Sequence, residues 1–413
     1  MKLTVAFLDI HHGDCAVITF DEKHGKGCIV IDGGERKEAA ERLAAYLKSE
    51  KVAVIDLLVA THIDNDHISG LVYFLDLYTG KENDWNHSQS KCIRHYWGPK
   101  PDPDWSPPPR QKHIKSLSYT PPGVQMSEFV IQGVKENQSL DKLIRKHIFS
   151  ADNIRYPALN DLPPVDIFKN IKLVIMAPDI QILDSEIQAK AMTITNARYL
   201  RSLSAGRTQR RKRLTFKALN TIITKNAEET AEIANRHANN QSIVFKLIPK
   251  VKKTAASSQW SFLFSGDAEQ ESWEMMRLTA GVKENLPSRV LKVPHHGSKN
   301  GIDKESFKAI DPEYNIISVG QKHGLPDGQT LNLIKEDDGT RKLFCTERNR
   351  KKGPCGGKAC IRDNKSDWRS IRFIIDTANE KEPVDIFTIN TESDSIDIKL
   401  DDIWCQENNW PDK

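Results

Sequence analysis

The run Thr61-His62-Ile63-Asp64-Asn65-Asp66-His67-Ile68-Ser69-Gly70 decides how this chain is read. Four groups able to ligate a metal, His62, Asp64, Asp66 and His67, fall within six residues. They follow directly on Ile55–Thr61, whose apolar character, interrupted only by Asp56 before its final Thr61, suggests a strand buried on both faces. A tight loop at the end of such a strand can turn alternate side chains into one pocket. Imidazole together with carboxylate suits zinc, manganese or iron better than calcium. The alternative for this run taken alone is a polar surface turn, but carboxylates crowded there without a cation would repel each other.

Two later segments repeat the shape. Phe262-Leu263-Phe264-Ser265-Gly266-Asp267 is an apolar strand that delivers one carboxylate, and Val290-Leu291-Lys292-Val293-Pro294-His295-His296-Gly297-Ser298 delivers two histidines. Each is weak by itself, since a strand-end Asp is commonly a turn former. Three strands of one shape, each ending in ligand residues, argue for one shared site.

Outward from these, the chain start is strand-rich: Leu3–Ile10, Cys15–Phe20 and Cys28–Ile31. Over Glu35–Lys51 the period becomes helical, with Ala39, Ala40, Leu43, Ala44 and Leu47 on one face. Residues 78–164 read as an insertion carrying Trp and Pro, with helix near Leu140–Phe149. Residues 180–238 read as a helical insertion with a basic break. Between and after them, strands are expected at Ile171–Met176, Ser242–Ile248, Ser261–Ser265, Arg289–Val293 and Ile316–Val319, with a short helix at Lys304–Ile310. Residues 340–413 close the chain with strands at Ile371–Ile375, Val384–Ile389 and Ile396–Leu400. Strand clusters at both ends with helices between them suggest two packed sheets with helices outside, a single α+β domain over residues 1–413.

Lysine and arginine total 60 against 56 acidic residues, so the net charge of +4 says little about partners. No apolar run reaches the roughly 20 residues of a bilayer span, and the first residues read as a strand, so a cytoplasmic location away from membranes is expected. The cysteines number seven, an odd count that argues against a disulfide framework in this setting. Cys15 and Cys28 read as small core residues, while Cys345, Cys355 and Cys360 match no common zinc module and read as free thiols, the alternative being a structural metal completed by a fourth ligand such as Cys405.

Local charge is more informative. Arg198–Lys217 holds Arg207, Arg210, Arg211, Lys212 and Arg213 among eight basic residues and no acidic one, enough to neutralise several phosphates. A solvated loop would show the same composition. Tyr96, Trp97 and Trp105 lie near Lys100 and Arg110 and offer stacking surfaces, though Trp-Pro loops commonly pack locally.

With these motifs in view, the chain resembles the metallo-β-lactamase superfamily, with its His-x-His-x-Asp-His loop, later bridging Asp and late His. It looks most like the ComEC-type hydrolase branch: Asp64 stands where others have the second His, and Ser265-Gly266-Asp267, His295-His296-Gly297-Ser298 and Asn239-Asn240-Gln241-Ser242 follow. His12-Gly13-Asp14 and Ile31-Asp32-Gly33-Gly34 resemble its two N-terminal turns. The resemblance implies a four-layer αββα sandwich with insertions and two divalent metal ions, zinc or manganese. It implies that His62 and Asp64 hold one ion, that Asp66, His67 and one of His295 and His296, here His296, hold the other, and that Asp267 bridges them. Asp14 and Asp32 would orient the ligands. Two such ions can acidify a shared water and stabilise both oxygens of an in-line displacement. Asp66, His295, Ser298 and His323 are the expected catalytic residues, with His295 protonating the leaving oxygen and Ser298 donating to a phosphate oxygen.

The chain departs from the branch at His11-His12, where either imidazole could approach the metals but an exposed loop is the favoured expectation, and at His323, which lies two positions early in its motif. The expected function is phosphodiester hydrolysis of DNA or RNA, with separately encoded protein partners, since no membrane channel accompanies the motifs. The rival readings are a small-molecule or cyclic-nucleotide phosphodiesterase or esterase, and a non-catalytic regulatory or binding protein on the same fold.

Overall fold

The computed structural model describes residues 2–22, 25–81, 85–86, 89–101, 128–157, 167–178, 239–250, 260–318, 325–336, 341–346, 369–376, 384–390 and 396–399. Their strands form two sheets. The first begins with β1 (Lys2–Phe7), β2 (Ala16–Glu22), β3 (Gly25–Ile31), β4 (Ile55–Val59), β5 (Ile93–Trp97) and β6 (Ile154–Arg155). The second holds β7 (Ile171–Ala177), β8 (Val244–Pro249), β9 (Phe262–Phe264), β10 (Val290–Lys292), β11 (Tyr314–Ile317) and β12 (Lys342–Cys345) in the order β12-β11-β10-β9-β8-β7. The chain then returns to the first sheet with β13 (Arg369–Asp376), β14 (Val384–Asn390) and β15 (Ile396–Lys399), giving the order β15-β14-β13-β1-β2-β3-β4-β5-β6.

Strand chemistry explains the layering. Leu3, Val5 and Phe7 point between the sheets, as do Ile18 and Phe20 from β2 and Phe262 and Phe264 from β9. Residues between them, such as Ala6, Val17 and Val30, face the helices. Both faces are covered, so the strands read as nearly continuous apolar runs. The inter-sheet core is aromatic: the Phe7 and Phe264 rings stack at 5.9 Å and those of Phe245 and Phe264 at 5.2 Å. Burying each such side chain contributes about 1.5–3 kcal/mol. The helices α1 (Lys37–Ser49), α2 (Asn65–Leu77) and α3 (Glu128–His147) cover the first sheet. The second is covered by α4 (Gln270–Leu278), α5 (Lys304–Ile310) and α6 (Gly328–Lys335). The result is the αββα sandwich. No described helix is long and apolar enough to cross a membrane.

Several elements differ from the sequence expectation. The ligand-bearing run is not one tight loop. Asp64 is extended and stands at the N-cap position of α2 without a side-chain capping bond, so Asp66 and His67 lie in the first turn of a helix, where the dipole favours the Asp66 carboxylate. The segment read as an insertion contributes β5, which pairs in parallel with β4, and β6, which pairs with β5. Alternation is hard to see in β5 because Tyr96 and Trp97 are both buried, one on each face of the sheet. The helix expected near Leu140–Phe149 starts much earlier, at Glu128. Strand β12 and helix α6 were not expected. Cys15, Cys28 and Cys92 are buried free thiols and Cys345 is half-buried; Cys355 and Cys360 lie outside the described residues, as do Trp105 and Arg110.

Close backbone approach locks α2 onto the sheet. Gly33 N donates to the His67 carbonyl at 2.8 Å and Gly70 N to that of Gly34 at 2.8 Å. A Cβ on Gly70 would fall 1.7 Å from the Gly33 carbonyl oxygen. That contact fixes the depth at which His67 enters the sandwich.

Candidate metal centre

Segments following β3, β4, β9, β10 and β11 meet at the carboxyl ends of these parallel-paired strands, the edge where open α/β sheets bind ligands. There the first ligand run meets the other two. His67 Nε2 lies 3.2 Å from Asp267 Oδ1, His296 Nε2 lies 3.4 Å from Asp267 Oδ2, and His62 Nε2 lies 3.8 Å from the same oxygen. His296 Nε2 is also 3.1 Å from Asp66 Oδ2, and His62 Nε2 is 3.8 Å from Asp64 Oδ2. The three imidazoles and Asp267 are buried. Asp64 and Asp66 are half-buried and mark the open side.

The outer nitrogens are spoken for. His67 Nδ1 donates to Asp32 Oδ2 at 2.9 Å, and Asp32 also accepts from Thr61 N and Thr61 Oγ1, both at 2.7 Å. His296 Nδ1 lies 2.8 Å from the Ser318 carbonyl oxygen, which can only accept. In the neutral rings the proton therefore sits on Nδ1 and the Nε2 lone pair faces inward. Asp14 lies behind the same rings, 3.4 Å from His296 Nδ1 and 3.8 Å from His67 Nδ1. One ring cannot turn both nitrogens to one ion, so Asp14 supports the imidazoles while Nε2 does the ligating.

This donor set fits a metal. The Nε2 atoms of His62, His67 and His296 are buried and make no hydrogen bond, although each approaches a carboxylate. Converging lone-pair donors without hydrogen-bond geometry are what a cation site requires.

Charge tells the same story. Burial disfavours the His67 and His296 imidazolium ions, yet Asp267 and the carboxylates around it outweigh burial and hold both pKa values well above the ordinary histidine range. Burial, followed by Asp66 and Asp267, pushes Asp64 up to about 7. Burial and then neighbouring His67 bring His62 down to about 3. The surrounding carboxylates thus favour protons on His67 and His296, and a cation bound there would compete with those protons. Metal binding should therefore release protons at neutral pH, and affinity should rise with pH as these groups deprotonate. Calorimetric titration of manganese in buffers of different ionisation enthalpy checks this: identical heats in all buffers would contradict it.

The remaining expected residues fall as follows. His295 is partly exposed and its Nδ1 lies 3.2 Å from Glu269 Oε1, which also accepts from Asn239 Nδ2 at 3.0 Å. Ser298 is half-buried and its hydroxyl accepts from Asn300 N at 3.4 Å. His323, Arg207, Arg210, Arg211, Lys212 and Arg213 lie outside the described residues. At His11-His12 the expected exposed loop is half right. His11 is exposed, but His12 is buried with Nε2 3.1 Å from Asp66 Oδ2. Gly13, at φ +106, bends the chain so that His12 turns inward. Sequence reasoning missed Glu269 and Lys292. Lys292 is buried, its ammonium bound to Asp14, 3.1 Å from the Gly266 carbonyl and 3.7 Å from Asp267 Oδ1. The available signal was a lysine inside a strand otherwise apolar on both faces.

Comparison with known proteins agrees with this geometry. The family model of the metallo-beta-lactamase superfamily matches residues 9–81. That span carries His12, Asp14, Asp32 and the whole first ligand run. Among curated proteins, none matches the chain. The two sheets and flanking helices are those of the metallo-β-lactamase sandwich. The match and the His/Asp cluster together suggest a metal-dependent hydrolase.

Proposed function

We propose that the protein hydrolyses phosphodiesters, with DNA or RNA as substrate, through a centre of two divalent metal ions, zinc or manganese. The observation that carries this reading is the convergence of the His62, His67 and His296 Nε2 atoms on Asp267, with Asp64 and Asp66 at the open side. His62 and Asp64 would hold one ion, Asp66, His67 and His296 the other, and Asp267 both. When bound, such ions supply Lewis acidity and an acidic water suited to in-line displacement at phosphorus. Asp32 and the Ser318 carbonyl keep Nε2 of His67 and His296 aimed inward. His295, steadied by Glu269 at the edge of the cluster, would give a proton to the leaving oxygen. Asp64 in place of a histidine, with the Ser265-Gly266-Asp267 and His295-His296-Gly297-Ser298 runs, supports a ComEC-like assignment within the superfamily.

The basic run Arg207, Arg210, Arg211, Lys212 and Arg213 would bind the nucleic-acid backbone. The test is cleavage of single- and double-stranded DNA and RNA, beside bis-p-nitrophenyl phosphate, with manganese or zinc added. Replacing the five basic residues by alanine should weaken nucleic-acid cleavage about tenfold or more at moderate salt and leave the small ester untouched. Equal turnover of both substrates by the variant and the parent would instead favour a small phosphodiester as the natural substrate.

A further inference from the structure

The cluster holds more carboxylates than two divalent ions neutralise. Asp14, Asp32, Asp64, Asp66 and Asp267 are five, and all lie in or directly behind the ligand set. With neutral imidazoles, two divalent cations offset four of them. Among the described residues, one lysine or arginine side chain stands among them. Lys292 projects from the buried strand β10 and binds Asp14, with Gly266 O at 3.1 Å and Asp267 Oδ1 at 3.7 Å. Its own strand is fixed from the next one by Ser265 Oγ, which donates to the Lys292 carbonyl at 2.7 Å. A lysine so deep is costly unless its charge is used.

We propose that Lys292 is the internal counter-charge of the metal centre. It neutralises the fifth carboxylate, keeps Asp14 behind the histidines instead of on the metal, and lowers the affinity for cations to the level two ions require. It acts through Asp14 and Asp267 and is a positioning residue. This rests on the two-metal reading, but its consequence runs opposite to that of an ordinary structural lysine. Removing the charge should tighten metal binding while weakening the metal-free fold.

The experiment is equilibrium dialysis and calorimetric titration of manganese, and separately zinc, into the full chain stripped with chelator. Wild type, Lys292→Met, Lys292→Arg, Asp14→Asn and the Asp14→Asn/Lys292→Met pair are compared. Lys292→Met should bind manganese about tenfold or more tightly than wild type, because a positive charge close to the ions has gone. Its metal-free melting temperature should fall, and Lys292→Arg should bind as wild type does. Binding by a folded Lys292→Met that equals or is weaker than wild type overturns the proposal. Should Lys292→Met not fold without metal, the double variant decides against Asp14→Asn alone: tighter binding supports the counter-charge, equal or weaker binding overturns it. Failure of wild type to bind either metal overturns the metal centre itself, and is seen before any variant is compared.

Discussion

Replacing Asp267 by asparagine should abolish the proposed two-metal centre: metal content drops by at least one ion per chain, and the proposed phosphodiester hydrolysis falls about a thousandfold or more. Asp267 is the residue that all three inward imidazole nitrogens approach, at 3.2, 3.4 and 3.8 Å. The amide is nearly the same size as the carboxylate but carries no charge and offers one acceptor instead of two. It cannot join two cations or offset their mutual repulsion. The backbone of this position is held separately, since Asp267 N donates to Ser242 Oγ at 3.0 Å, so the loop should keep its shape. Metal analysis beside circular dichroism separates the two effects. A folded Asp267→Asn protein that retains two ions and full turnover would remove the basis for a shared ligand at this position.

The second large effect is expected at Gly13. Its φ of +106° lies outside what an L side chain adopts readily, and a Cβ there would fall 1.9 Å from the Asp66 carbonyl oxygen. That carbonyl is backbone at the start of α2 and cannot swing aside. The turn is also fixed by Asp14 N, which donates to the same carbonyl at 3.1 Å. Gly13→Ala should therefore cost about 3 kcal/mol or more of stability. It should also weaken metal binding, because the turn that lifts away carries both His12 and Asp14. Urea denaturation and metal titration of the same preparation check the two parts. Unchanged stability would mean that the turn does not pack on α2 as described.

These two residues differ in how far the sequence announces them. Asp267 ends an apolar run with Gly266 before it, a local pattern complete within a few residues. Gly13 sits in a turn whose importance comes from Asp66, more than fifty positions later. The same divide runs through the rest of the site. His62, Asp64, Asp66, His67 and His296 announce themselves because each is a ligand type at the end of a buried strand. His12 did not, because only the turn at Gly13 distinguishes an inward histidine from an exposed one. Lys292 was hidden in plain view, since a strand is judged by its apolar majority and a single lysine in it is passed over. Glu269 lies two residues beyond Asp267 and shows its purpose only when His295, from another loop, is set against it.

The sequence by itself determined the layers and the chemistry on offer. Nearly continuous apolar strands covered on both faces demand sheets enclosed by helices, and imidazoles mixed with carboxylates at strand ends offer the donors of a cation site. Tertiary structure alone decided which nitrogen of His67 and of His296 faces the centre of the cluster, because Asp32 and the Ser318 carbonyl that settle this follow other strands. It alone placed Lys292 against Asp14. Charge balance in a buried site is a sum over groups brought together from distant segments, and no local pattern records that sum.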